Sequence, residues 1–173
     1  MFLVARYKAT PGAAAQAPPH WPDGVTRPAD KPALVLFAHP RCPCTRASLT
    51  ELGRMLTRLP ATTAYVIFVR PSGAPADWER TESWTFANSI PGVQVFRDDG
   101  GVMARRFGAS VSGQTFLYDA QGRLLFSGGL TVARGHEGRS LGQERIAALL
   151  SGGKVDRADA PVFGCALLEE ARR

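Results

Sequence analysis

The sequence predicts an α/β domain built on a central mixed β-sheet with helices on both faces. Three observations lead there. Short apolar runs, bounded by proline, glycine or aspartate, alternate with stretches whose apolar residues recur at helical spacing. Their order along the chain is β-α-β-α-β-α-β-β-α. The last two strands flank Asp119-Ala-Gln-Gly122, a turn signal that makes them a hairpin.

Ala33 to Ala38 is too short for a helix and lies between Pro32 and Pro40, so it reads as a buried strand. Leu49, Leu52, Leu56 and Leu59 then mark one face of a helix that begins near Pro43. Tyr65-Val-Ile-Phe-Val69 is a second buried strand, and Pro71 to Asp77 is a loop rich in turn residues. Glu79 to Ser89 is a modest helix, with Trp84 expected to pack on the sheet. Val93 to Phe96 is a third strand, ended by Asp98-Asp-Gly-Gly101, and Val102 to Phe107 is a short helix closed by Gly108. The hairpin strands are Thr115–Tyr118 and Arg123–Phe126. Ser127 to Ser140 is an irregular Gly-rich loop carrying Arg134-Gly-His-Glu-Gly138, before a last amphipathic helix, Leu141 to Leu150. These elements form a domain over residues 31–152. Residues 1–30 are Pro/Ala-rich and read as a stiff linker that Trp21 can tuck onto the domain. Residues 153–173 form a tail carrying Cys165 within Pro161-Val-Phe-Gly-Cys-Ala-Leu167.

The net charge of +6 over 173 residues is scattered arginine, without the basic run or aromatic interleaving of a nucleic-acid groove. No nucleic-acid partner is expected. Three cysteines are too few for a disulfide framework. A close pair, Cys42 and Cys44, with the distant Cys165 suggests redox or metal chemistry instead. Phe2–Val4 is apolar but too short to cross a bilayer, and it reads either as the stub of a membrane anchor or as an ordinary N-terminus.

The pair sits where the first strand hands over to the first helix. Pro43 suits the first helical turn, since it lacks an N–H and has a fixed φ. Free N–H groups and the positive end of the helix dipole favour a thiolate there, and Arg41 and Arg46 add positive charge nearby. A bridge between Cys42 and Cys44 closes a small ring stiffened by Pro43, so it should be strained and oxidising. The plain alternative is a pair of small apolar residues packed under a helix.

The element order with a cysteine pair after the first strand resembles the thioredoxin fold, from about Pro32 to Leu150. Phe96-Arg-Asp-Asp-Gly, Phe107-Gly and Thr115-Phe-Leu-Tyr-Asp-Ala-Gln-Gly-Arg-Leu-Leu125 look like the TlpA/redoxin branch of extracytoplasmic, membrane-anchored thiol oxidoreductases. Cys-Pro-Cys, the Gly-His-Glu-Gly loop and the Phe-Gly-Cys tail look like RedB-type redoxins. The resemblance implies a periplasmic or otherwise extracytoplasmic setting. It also implies a membrane tether and a protein or small-molecule thiol/disulfide partner. Two departures stand out. The family carries Cys-X-X-Cys, whereas one residue separates the cysteines here. Its cis-proline facing the cysteines is replaced by Gly113 in Val111-Ser-Gly-Gln-Thr115, which puts a peptide groove in doubt and opens space for a metal, a bulkier thiol or another side chain.

The leading expectation is dithiol–disulfide exchange without a cofactor: Cys42 attacks and Cys44 resolves. His39, three residues before Cys42, is either a local base or a capping residue at the strand end. Pro43, Arg41, Gly113 and Thr115 are auxiliary positions. Cys165 is either a third redox cysteine on a mobile tail or a small packed residue among Val162, Phe163, Ala166 and Leu167. The second reading is a copper or zinc carrier using Cys42, Cys44, His39 and His136. His136 and Glu137 sit in a loop where function concentrates, although a loop histidine commonly orders its own loop. Peroxide reduction would want threonine or serine before the reactive cysteine, where this chain has His39. A scaffold that only binds a partner completes the set.

Overall fold

Every residue of Ala33–Ala38 (β1) is buried, which places this strand at the centre of its sheet. A computed structural model describes residues 10–13, 15–59 and 62–168. The remaining elements are α1 (Pro43–Leu56), β2 (Thr63–Arg70), α2 (Glu82–Ser89), β3 (Val93–Asp99), α3 (Val102–Phe107), β4 (Thr115–Tyr118), β5 (Leu124–Gly128) and α4 (Leu141–Leu150). The five strands run in the order β3-β2-β1-β4-β5. β1 pairs in parallel with β2, and β2 with β3; β4 pairs antiparallel with both β1 and β5. The sheet is therefore mixed, as expected.

Alternation along β1 splits the core in two, because successive side chains leave opposite faces. Leu34, Leu36 and Ala38 join Val66, Phe68, Leu117 and Phe126 under α1, α2 and α4, which contribute Leu49, Leu52, Ala87 and Ile146. Val35 and Phe37 join Ile67, Val69, Phe116 and Tyr118 on the other face, against Ala104 and Phe107 of α3. Trp84 packs against Phe68 at 5.3 Å between ring centroids, the expected contact with the sheet.

Two boundaries differ from the sequence reading. α2 begins at Glu82 rather than Glu79, because Thr81 caps it by accepting from the Trp84 N–H. Glu79 is instead drawn inside, where its carboxylate meets Arg97 at 3.5 Å. β3 continues through Asp98 and Asp99, which pair with Val69 and Arg70 of β2. Asp98 then accepts from the Met103 and Ala104 N–H groups, so a strand residue supplies the cap of α3.

The segment before β1 is attached rather than free. Trp21 stands edge-on to Tyr65, Phe107 and Tyr118, and its indole N–H bonds to the Val25 carbonyl. Its backbone N–H bonds to Gly122 O, Leu124 N–H bonds to Pro19 O, and His20 bridges to Arg123. The Pro/Ala-rich stretch thus straps the face that α3 leaves partly bare. Phe2–Val4, read as an anchor stub or plain terminus, lies outside the described residues.

The tail also docks. Val162, Phe163 and Leu167 are buried, and Gly12 N–H in the strap bonds to Val162 O at 2.8 Å. Ser112 N–H bonds to Cys165 O at 2.8 Å, Leu167 N–H bonds to Ser110 O at 2.9 Å, and Val111 bridges antiparallel to Ala166. A short stretch of tail therefore pairs like a strand with the segment just ahead of β4.

Candidate thiol site

Cys42 occupies the N-cap of α1 in an extended conformation, with Pro43 at the first helical position. The loop that sets it there is held by two hydroxyls. Thr45 Oγ1 donates to His39 O at 2.8 Å and lies 3.0 Å from Ser112 Oγ, which accepts from the His39 N–H at 2.9 Å. Cys42 N–H closes the turn onto His39 O. Strand end, helix start and the segment before β4 are thereby tied into one rigid corner.

Three thiols meet at this corner, all of them free. Cys42 Sγ lies 2.9 Å from Cys165 Sγ, well beyond the ~2.05 Å of a covalent S–S bond. Burial pushes the Cys42 thiol up, but hydrogen bonds from the Cys165 and Cys44 thiols and from both backbones outweigh it, so Cys42 titrates below an ordinary cysteine. Cys44 is raised by burial, by the charge on Cys42 and by the hydrogen bond it donates there. Cys165 is pushed up to about 12 by burial and by the same donation to Cys42. Cys42 is thus the most readily ionised of the three sulfurs, and the other two are its hydrogen-bond donors.

The positive charge over the cysteines comes from an unexpected source. Arg134, in the Gly-rich loop, draws down both Cys44 and Cys165, and Gly135 N–H bonds to Cys44. The Arg134 guanidinium also donates to the Gly164 carbonyl, clamping the tail. Arg41 and Arg46, read as the neighbouring charges, instead stack on Trp78 and Phe86, at 3.7 and 3.8 Å from the ring centres.

The sheet order and this strand-to-helix corner can be compared with solved structures. No protein-family model and no curated protein matches the sequence. A hypothetical protein from Sinorhizobium meliloti 1021 shares 22% identity over 91% of this chain and 93% of its own, with a TM-score of 0.65. An uncharacterized conserved protein from Geobacillus kaustophilus shares 18% over 95% of each chain, with a TM-score of 0.67. A candidate thioredoxin from Neisseria meningitidis, known from a solution structure, shares 15% over 80% of this chain and 90% of its own, at 0.53. The fold is thioredoxin-like.

Within the thioredoxin-like frame, the space beside Gly113 is filled from inside the molecule. Gly113 has φ +90°, and a Cβ there would meet Ser48 Oγ at 2.9 Å, with Phe163 O at 3.9 Å. Its N–H bonds to Phe37 O, anchoring the segment to β1. Thr115 opens β4 opposite Leu36, fully buried, with its hydroxyl on Gly113 O. It supports the backbone of the site.

His39 and His136 do not join the thiols in a metal set. Among the described residues, no group of three or more His, Cys, Asp or Glu side chains is placed to hold a metal ion. His39 Nδ1 accepts from the Arg41 N–H at 3.1 Å, and its ring stands edge-on to Trp78. His136 Nδ1 bonds to Arg134 O at 2.7 Å, and Glu137 pairs with Arg54 at 2.9 Å. Buried Glu51 accepts from Gly138 N–H and Gln143 and pairs with Arg54. His136 and Glu137 therefore order the loop that presents Arg134.

Sequence reasoning missed Arg134, Gly164, and the Thr45–Ser112 hydroxyl pair. Arg134 opens the Gly-rich loop that drew attention to His136, and Gly164 lies in the Phe-Gly-Cys tail, whereas the hydroxyl pair left no signal. Gly164 is needed because a Cβ there would meet Ser112 O at 1.8 Å, a backbone atom that cannot give way. That crossing depends on a partner far away in sequence.

Proposed function

We propose that this protein catalyses thiol–disulfide exchange with Cys42 as the attacking thiolate. The observation that carries the reading is Cys42 at the N-cap of α1, buried and in contact with a second thiol 2.9 Å away. A thiolate is the attacking species in disulfide exchange, and a helix N-terminus with S–H donors stabilises it. The substrates are protein or small-molecule disulfides and thiols. The extracytoplasmic setting and membrane tether implied by the redoxin resemblance belong to the same proposal. Among the described residues, no helix is long and apolar enough to cross a membrane.

The test is reduction of insulin disulfides by the dithiothreitol-recycled protein, together with iodoacetamide alkylation followed across pH and mapped by peptide mass. Because the Cys42 pKa is lowered, its thiolate persists to lower pH. Its alkylation midpoint should fall below that of an ordinary cysteine, and Cys44 and Cys165 should react only at higher pH. No insulin reduction, with Cys42 the slowest of the three thiols at pH 7, would overturn the reading.

A further inference from the structure

We propose that Cys165, and not Cys44, is the resolving cysteine for Cys42, and that the docked tail acts as a built-in substrate strand. This rests on the exchange reading above and names the second catalytic sulfur within it.

Geometry separates the two candidates. Cys44 also hydrogen-bonds to Cys42, but only Pro43 separates the two at the helix start, so a bond between them would close a small ring stiffened by that proline. Cys44 is also fixed on α1, buried to 8% exposure. Cys165 comes from another segment and has its own aim. The Ser112 N–H holds its carbonyl, the Val111–Ala166 bridge sets its strand direction, and Arg134 holds the preceding Gly164 carbonyl. This antiparallel pairing brings Cys165 Sγ to 2.9 Å from Cys42 Sγ. A bond of ~2.05 Å needs only about 1 Å of further approach.

The exposures fit the order of events. Cys42 is 3% exposed, whereas Cys165 is half-buried and Ala166 exposed, so the tail is the cover over Cys42. An incoming disulfide R–S–S–R′ reaches Cys42 when the tail lifts. The Cys42 thiolate forms a bond to one sulfur, the S–S bond breaks, and R′–S⁻ leaves and takes a proton from water. The tail then returns to its strand position. Burial and the hydrogen bond and charge at Cys42 held the Cys165 proton; with Cys42 now in a mixed disulfide, the hydrogen bond and charge are gone, while Arg134 remains. Cys165 gives its proton to water and attacks Cys42 Sγ. The Cys42–Cys165 bond forms, the bond to R breaks, and R–S⁻ leaves to be protonated. Two electrons pass from the Cys42 thiolate and the Cys165 thiol to the partner, and its two product thiols carry the Cys165 proton and one proton taken from water. Cys44 remains a thiol throughout and donates to Cys42 in the resting state.

The deciding experiment uses the full chain, reduced and then exposed to 5,5′-dithiobis(2-nitrobenzoate), followed by intact mass and peptide mapping. Wild type and Cys44→Ser should pass to an adduct-free protein two hydrogens lighter, with Cys42 linked to Cys165. Cys165→Ser and Cys165→Ala should stop with the adduct on Cys42. Two replacements at position 165 separate loss of the sulfur from any disturbance of the tail. Resolution in either Cys165 variant, or a retained adduct in Cys44→Ser, would overturn Cys165 as the resolving group while leaving exchange intact. A wild-type protein that takes no adduct at Cys42 and reduces no insulin would remove the exchange reading itself.

Discussion

Cys42→Ser is expected to abolish insulin reduction to the level of the uncatalysed background, whereas Cys44→Ser should retain most of the rate. Serine keeps the size of the side chain and the N-cap position, so the corner made by Thr45, His39 and Ser112 should persist and the melting temperature should barely move. What is lost is the only thiol of the three whose pKa is lowered. The hydroxyl that replaces it does not ionise near neutral pH, and neither neighbouring sulfur occupies the helix N-cap to take its place. Initial rates with circular dichroism on the same samples make the check. Wild-type rates in Cys42→Ser, with the fold intact, would leave a partner-binding scaffold as the remaining account of the site.

The second large effect is expected from Gly164→Val. Even the first added carbon would lie 1.8 Å from Ser112 O, so the tail cannot keep its pairing with Ser110–Ser112. Detachment should expose Cys42 and at the same time remove the Cys165 hydrogen bonds that lower its pKa. Iodoacetamide should therefore label Cys165 at least tenfold faster, and the Cys42 midpoint should move up in pH. Burial of Val162, Phe163 and Leu167 would be lost as well. Each fully buried side chain of this kind is worth about 1.5–3 kcal/mol, so the melting temperature should fall by several degrees. A variant with wild-type labelling and melting would mean that the tail does not need this close approach.

What could be read in advance follows from the range of the interactions. β1 was legible because six consecutive buried residues between prolines leave little choice, and the hairpin because its turn residues are local. The extension of β3 through Asp98 and Asp99 was not, since their role is set by pairing with β2 and by capping α3. The cysteine pair declared itself through three adjacent residues. Its relation to Cys165 was legible only as one of two alternatives, because 123 positions separate the two sulfurs and the folded sheet is what brings them together. Arg41 and Arg46 drew notice for sitting near the cysteines in sequence, yet stacking on Trp78 and Phe86 takes them away and leaves the work to Arg134.

That separation of 123 positions bears on the unfolded chain as well as on the folded one. A bond between Cys42 and Cys165 would turn most of the molecule into a covalent ring that encloses every strand after β1 and all four helices. A ring of this size restricts the denatured ensemble by on the order of 5 kcal/mol in the chain-entropy view, whereas a Cys42–Cys44 link would restrict it by about 1.6 kcal/mol. The redox state of one sulfur pair would then set the resistance of the whole domain to heat and to proteases. The protein would be most durable after it has given up its electrons, and most easily cleared once recharged.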